Sequence, residues 1–164
     1  MTATDIGEGS MVSLPKTADI IVVGAGSVGA AIAYHLARKG GAKVVLVERD
    51  AIASGATGRA AGMITQQFKT ELHIQLARES IQFFKHLAAT GKYGLVFRDT
   101  GYVHLLCTPE ELAEAERSVA LQHRFGVGSQ ILTPKEAAAL LPGLAVGDIL
   151  GATNCPEDGH TDPY

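Results

Sequence analysis

Six consecutive residues, Gly24-Ala25-Gly26-Ser27-Val28-Gly29, and one carboxylate, Glu48, carry the most legible chemistry in this sequence. Gly24 permits a tight turn, Gly26 lets the backbone reach an anion with no Cβ in the way, and Gly29 lets a helix pack close to a strand. The four apolar residues Ile20–Val23 ahead of them read as a buried parallel strand. A helical pattern follows from about Val28 to Lys39, and the free N–H groups at its start form an anion site. A second apolar run, Val44–Val47, ends at Glu48, where a carboxylate accepts hydrogen bonds from a ribose diol and repels a 2′-phosphate. Strand, glycine turn, helix and parallel strand make a βαβ unit suited to an adenine dinucleotide. The competing reading is the same turn with no nucleotide on it.

A second small-residue stretch, Ser54-Gly55-Ala56-Thr57-Gly58-Arg59-Ala60-Ala61-Gly62-Met63-Ile64, also lets backbone amides approach a ligand. Alone it reads as a flexible loop. Placed directly after the acidic strand end, it argues for a flavin dinucleotide, because nicotinamide domains usually continue into another regular α/β repeat.

The elements that position these residues follow from periodicity. In the first helix Ala33, Leu36 and Ala37 share one face, and Gly40 stands where a helix ends. Residues 71–90 repeat Leu72, Leu76, Ala77, Ile81, Phe84, Leu87 and Ala88 at three and four, an amphipathic helix. Two short β runs at 94–98 and 102–107 flank Asp99-Thr100-Gly101 and predict a hairpin. Thr108-Pro109-Glu110-Glu111 and Thr133-Pro134-Lys135-Glu136 both read as capping boxes with proline at the first helical position. The first of these helices runs to Arg124 or Phe125; a β run at Gln130–Leu132 precedes the second, which stops by Pro142-Gly143. A last strand is expected at 149–153.

Composition bounds the rest. A net charge of −3 gives no footprint for nucleic acid. No apolar run approaches the ~20 residues of a membrane span. Residues 1–17 read as a polar, mobile leader without a secretory core, which points to a cytoplasmic protein. Cys107 and Cys155 have no metal-like spacing and read as free thiols. His35, His73, His86, His104 and His123 are scattered and read as structural or surface residues; no metal site is expected.

The pairing of GAGSVG…VVLVERD with SGATGRAAGMI resembles the FAD-dependent D-amino-acid oxidase superfamily, which includes glycine and sarcosine oxidases and dye-linked L-proline dehydrogenase β subunits. The resemblance continues through Gln66-Gln67-Phe68, Asp99-Thr100-Gly101-Tyr102 and Leu132-Thr133-Pro134-Lys135-Glu136-Ala137, and into Cys155-Pro156-Glu157-Asp158-Gly159-His160-Thr161-Asp162-Pro163-Tyr164. This last stretch is similar to the family's PxDGxxDP segment, which returns the chain to the cofactor domain.

The resemblance implies an α/β fold with an α+β insertion, in which a Rossmann-like FAD-binding unit is followed by part of a cap or substrate domain. It divides the chain into a leader at 1–17, the FAD-binding unit at 18–68, partial cap elements at 69–153 and the start of the return segment at 154–164. It implies non-covalent FAD, because Arg59 and no histidine stands near the second loop. Gly24, Gly26, Ser27, Val28 and Gly29 are then expected at the pyrophosphate, Glu48 at the ribose and Arg49 beside the adenine. Thr57, Gly58, Arg59, Ala61, Gly62 and Met63 are expected along the stretch from pyrophosphate to flavin. The implied reaction oxidises the C–N bond of an amino acid or N-methylated amine, with hydride transfer to flavin N5. No catalytic residue is assigned, since the family's substrate-binding residues come mainly from later chain. The expectation is a truncated piece, inactive alone, that needs its C-terminal half. Two alternatives stand beside it: a non-catalytic or split subunit needing a partner chain, and an NAD-binding domain.

Overall fold

The computed structural model describes residues 15–163; most of the expected leader lies outside the described residues. The chain divides into two compact units, Met1–Arg59 and Ala60–Tyr164.

In the first unit, β1 (Ile20–Val23) and β2 (Val44–Val47) pair in parallel, with Ile20 opposite Val44 and Val23 opposite Val47. Helix α1 (Ser27–Lys39) crosses between them and ends at Gly40, whose φ of 71° only glycine adopts without strain. Strand alternation decides which side chains α1 covers. Val22 is buried, whereas Ile21 and Val23 are 62% and 82% exposed. The sequence predicts a strand buried on both faces and a packed helix face that includes Ala37. Instead one sheet face is covered, Ala33 and Leu36 are half-buried, and Ala37 is exposed.

The second unit holds β3 (Met63–Ile64), α2 (Glu71–Ala89), β4 (Phe97–Asp99), β5 (Tyr102–Leu106), α3 (Pro109–Arg124), β6 (Gln130–Leu132), α4 (Pro134–Leu140), β7 (Gly151–Cys155) and β8 (Gly159–Thr161). Two antiparallel three-stranded sheets form, in the orders β3-β8-β4 and β5-β7-β6. Both capping boxes are present, so α3 and α4 start where Thr108 and Thr133 set them.

Three expectations are corrected. First, β4 and β5 are not a hairpin: β4 pairs with β8 and β5 with β7. Gly101, at φ 72°, donates its N–H to the Asp158 carbonyl, so the turn passes the chain from one sheet to the other. Second, the strand expected at 149–153 lies at Gly151–Cys155, and β8 follows it. Strand β7 is central and buried at all five residues, and its Gly-Ala-Thr-Asn-Cys sequence lacks the apolar signal that Ile149 and Leu150 supply just before it. Third, the inward face of α2 keeps the expected Ala77, Ile81, Phe84, Leu87 and Ala88 but takes Ile74 in place of Leu72 and Leu76. Ile74 and Ile81 are its buried residues, with Ala77 and Phe84 half-buried, while Leu72 and Leu76 are 64% and 56% exposed. Ile74 packs with Val127 and Cys155 against Leu121 and Phe125, which brings it into the inward stripe with Ile81.

The place of Ile74 in this stripe is directly testable. Ile74→Ala should destabilise the protein by about 2–4 kcal/mol in urea denaturation. Leu76→Ala should stay within about 0.5 kcal/mol of the parent.

Candidate nucleotide-binding site

The first unit brings two glycine-rich segments together. Gly24 N–H donates to the Val47 carbonyl at 2.8 Å, joining the ends of β1 and β2. A Cβ on Gly29 would land on the Gly24 carbonyl oxygen, so the first turn of α1 lies directly over the loop. A Cβ on Gly26 would sit 3.1 Å from Thr57 Oγ1. That hydroxyl accepts from Ser27 N at 3.0 Å and lies 3.3 Å from Ser27 Oγ. Ala53 N donates to the Ala25 carbonyl at 3.1 Å, and Gly58 N to that of Ala53 at 2.8 Å. The second loop is thereby docked on the first, with Thr57 at the helix N-terminus.

Among the described residues, Glu48 is held by backbone donors alone. Its Oε2 accepts from Ala25 N at 2.7 Å, and Oε1 accepts from Arg49 N at 2.7 Å and Asp50 N at 2.9 Å. The Asp50 N–H first, then that of Ala25, hold the carboxyl below its usual range, so it stays charged. Oε2 keeps a free lone pair. The N–H groups of Val28 and Gly29 have no hydrogen-bond partner among the described residues, and the first turn of α1 holds no acidic side chain. Free donors at a helix N-terminus, a glycine surface and a fixed carboxylate with spare acceptor capacity fit a ribose-linked pyrophosphate. Val28 is 71% exposed, and Arg49 is exposed and pairs with Asp50 at 3.3 Å. Arg59 is exposed at the end of a 3-10 turn over Thr57–Arg59.

Ala61, Gly62 and Met63 belong to the second unit. Ala61 is exposed and Met63 is 49% exposed, paired opposite His160. Gly62, at φ 71°, would drive a Cβ into the Thr161 carbonyl oxygen, and its own carbonyl accepts from Thr161 N at 2.9 Å. Its lack of a side chain is therefore already required by β8.

Sequence reasoning assigned no role to the buried network beside these residues. Asp158, fully buried, accepts from Thr65 Oγ1 at 2.7 Å, Gln66 N at 2.9 Å and Gln67 Nε2 at 3.1 Å. The partners lie more than 90 residues apart, so no local spacing reveals them; the only signal was that both segments belong to recognisable motifs. Burial, followed by the nearby Asp158 charge, pushes the Cys155 thiol up to about 12, so it stays protonated. Burial pushes the His104 imidazole down. His104 lines a cleft of about 530 Å³ with Gln67, Glu114, Ser118 and Thr153. No group of side chains suited to a metal occurs among the described residues, and no described helix is long and apolar enough to cross a membrane.

The family described as FAD dependent oxidoreductase (DAO) matches residues 19–164. The chain belongs to this family. Among solved structures, L-proline dehydrogenase from P. horikoshii superposes with a TM-score of 0.85 at 36% identity, covering 92% of this chain and 39% of that one. Glycine oxidase from Geobacillus kaustophilus gives 0.76 at 30% identity, covering 89% and 41%. Mouse mitochondrial sarcosine dehydrogenase is 30% identical over 162 residues, 98% of this chain and 18% of the relative. The chain thus spans under a fifth of that relative and about two-fifths of the structural neighbours. The α/β FAD-domain fold and the family's cofactor, FAD, stand as the sequence indicated.

Two outcomes test this geometry. Gly29→Ala should cost about 1–3 kcal/mol through backbone displacement, while Gly26→Ala, which meets only a rotatable hydroxyl, should cost less. Because the folded pKa of Glu48 is depressed, its contribution is full above the ordinary value of 4.5 and is lost as pH falls through the lowered folded value. Thermal denaturation followed as pH falls from 4.5 toward that lowered value should therefore show a steeper loss for the parent than for Glu48→Gln.

Proposed function

We propose that this chain supplies the FAD-binding part, and a portion of the substrate domain, of an oxidoreductase that oxidises the C–N bond of an amino acid or N-methylated amine. The observation that carries this reading is Thr57 of the second glycine-rich loop capping α1 beside the first loop, within a chain whose residues 19–164 match the FAD family. FAD, when bound, supplies the two-electron oxidation that such a bond requires.

In this reading Gly24, Gly26, Ser27, Val28 and Gly29 receive the pyrophosphate on free backbone donors, and Glu48 accepts the ribose hydroxyls through Oε2. Arg49 lies at the adenine end. Thr57, Gly58, Arg59, Ala61, Gly62 and Met63 lead from pyrophosphate to flavin. Binding is non-covalent: residues 54–64 contain no histidine or cysteine. The functional division runs 18–68 for the cofactor unit, 69–153 for cap elements and 154–164 for the return segment. Several relatives are named for small amine substrates, among them rat dimethylglycine dehydrogenase, 31% identical over 148 residues. A cytoplasmic location is part of the proposal, although that relative and sarcosine dehydrogenase are named as mitochondrial.

A second reading, a non-catalytic subunit, draws on one relative: the pyruvate dehydrogenase phosphatase regulatory subunit of mouse, 29% identical over 157 residues.

The native protein should purify with a visible flavin absorption band, and acid precipitation should release all the flavin. Flavin that stays on the denatured polypeptide would contradict non-covalent binding. Glu48→Ala should weaken FAD by about tenfold or more, the loss of a charge-assisted hydrogen bond. Tighter binding of NAD than FAD in direct titration would overturn the flavin assignment. Flavin without turnover of any amine or amino acid would favour the regulatory reading.

A further inference from the structure

Helix α3 and strand β5 of the second unit border a cleft of about 530 Å³, a size usual for small-molecule sites. Every residue that lines it belongs to that unit. Leu106, Ala115 and Val119 give it a buried apolar lining. Beside Val119 stands Ser118, only 9% exposed and on the buried face of α3. Its hydroxyl makes no hydrogen bond among the described residues. Among those residues, Thr161 Oγ1 is the one unpaired buried side-chain atom sealed from solvent, so the Ser118 hydroxyl keeps access to the cleft it lines. The other buried polar side chains of the cleft are occupied. Gln122 donates to the Phe68 carbonyl at 2.9 Å and accepts from Ser129, and Thr153 donates to Gln67 Oε1 at 2.6 Å.

His104 lies directly opposite Thr153 in the β5–β7 ladder. Its ring meets that of Tyr102 edge-on at 4.5 Å, and neither ring nitrogen has a hydrogen-bond partner among the described residues. Desolvation, working against the Asp158 charge, lowers its pKa, so the imidazole is neutral at pH 7 and has an N–H to donate. The charges nearby do not balance. Lys69 and Arg117 share one carboxylate, that of Glu114, at 3.6 and 2.7 Å. One positive charge is left over within a helical turn of Ser118. The remaining acids of the cleft, Glu110 and Glu111, sit in the first turn of α3, about 10–12 Å along the axis from Ser118. Glu111 is engaged there by Cys107 N and Thr108 N, and the positive end of the helix dipole offsets Glu110. An unpartnered hydroxyl in an apolar cleft costs free energy unless something accepts from it. Beside a free imidazole N–H and an excess positive charge, the group that answers all three is an anion with more than one acceptor oxygen.

We propose that this cleft binds a small organic carboxylate. Its oxygens accept from the Ser118 hydroxyl, the His104 imidazole and Lys69, and its short apolar body lies on Leu106, Ala115 and Val119. The site is built from the second unit alone and rests on none of the flavin assignments.

The test is calorimetric titration of the native protein with isobutyrate, with isobutylamine and inorganic phosphate as comparison probes, and the histidine imidazole NMR signals as the reporter of place. Isobutyrate should bind in the millimolar range and shift the His104 signals. Ser118→Ala should weaken it about tenfold, the loss of a hydrogen bond to a charged group. Lys69→Gln should weaken it about two- to fivefold, as expected of an exposed charge. Because the Ser118 hydroxyl has no partner to lose, Ser118→Ala should leave the melting temperature unchanged or raise it. A hydroxyl with a purely structural role would lower the melting temperature on removal and leave isobutyrate affinity unmoved, which would overturn the proposal. Isobutylamine binding as tightly as isobutyrate would overturn the charge assignment, and phosphate binding as tightly would overturn the organic body. No binding of isobutyrate, unmoved His104 signals, or binding that neither variant weakens would overturn the site.

Discussion

One close approach shapes the first unit: the turn of α1 at Gly29 lies on the Gly24 carbonyl, where no Cβ fits. From it follow the features that make the site. The helix starts directly over the end of β1, so its first N–H groups emerge at the loop and not in a hydrophobic interface. Among the described residues Val28 and Gly29 are left with unpartnered donors, while Ser27 is capped by Thr57 from the second loop. Glu48, brought to the same end by the parallel register of β1 and β2, is locked by three backbone N–H groups. A carboxylate held in this way has lost its rotamer freedom before any ligand arrives, so little further ordering is needed on binding.

The second unit is organised by polar burial as much as by apolar packing. Asp158 gathers Thr65, Gln66 and Gln67, and Gln122 holds the next residue by donating to the Phe68 carbonyl at 2.9 Å while accepting from buried Ser129. The segment 65–68 is therefore fixed by specific donors and acceptors on two sides, whereas greasy contacts would allow sliding. Its apolar clusters are small: Ile74, Val127 and Cys155 in one, Ala137, Ile149 and Ala152 in another. Such an arrangement favours one loop path over a loose ensemble.

Local signals and long-range ones were unequally legible. The βαβ unit was readable almost to the residue, because glycine spacing, strand runs and Gly40 are all local. Both capping boxes were readable for the same reason. Strand pairing in the second unit was not. The turn at 99–101 has hairpin chemistry, but its Gly101 N–H is claimed by the carbonyl of Asp158, far along the chain. Strand β7 was displaced because a central strand needs burial more than alternation, and Gly, Ala, Thr, Asn and Cys provide it without an apolar pattern. On α2, Leu72 and Leu76 fit the helical period with Ile81 as well as Ile74 does; only the position of Val127 and Cys155 selects Ile74. At the site, the glycines and Glu48 were legible as types. The docking of Thr57 on Ser27, and the carboxylate of Asp158 under the 65–67 segment, required the fold.

The central claim is that α1 presents its first amides to a dinucleotide phosphate. Backbone ¹⁵N NMR of the protein during addition of ADP, the half of FAD that this unit should read, tests it most directly. The largest amide shifts should fall on Val28 and Gly29, with Ser27 and Thr57 following as the cap adjusts. Unmoved Val28 and Gly29 amides at saturating ADP, or shifts confined to other parts of the chain, would contradict it.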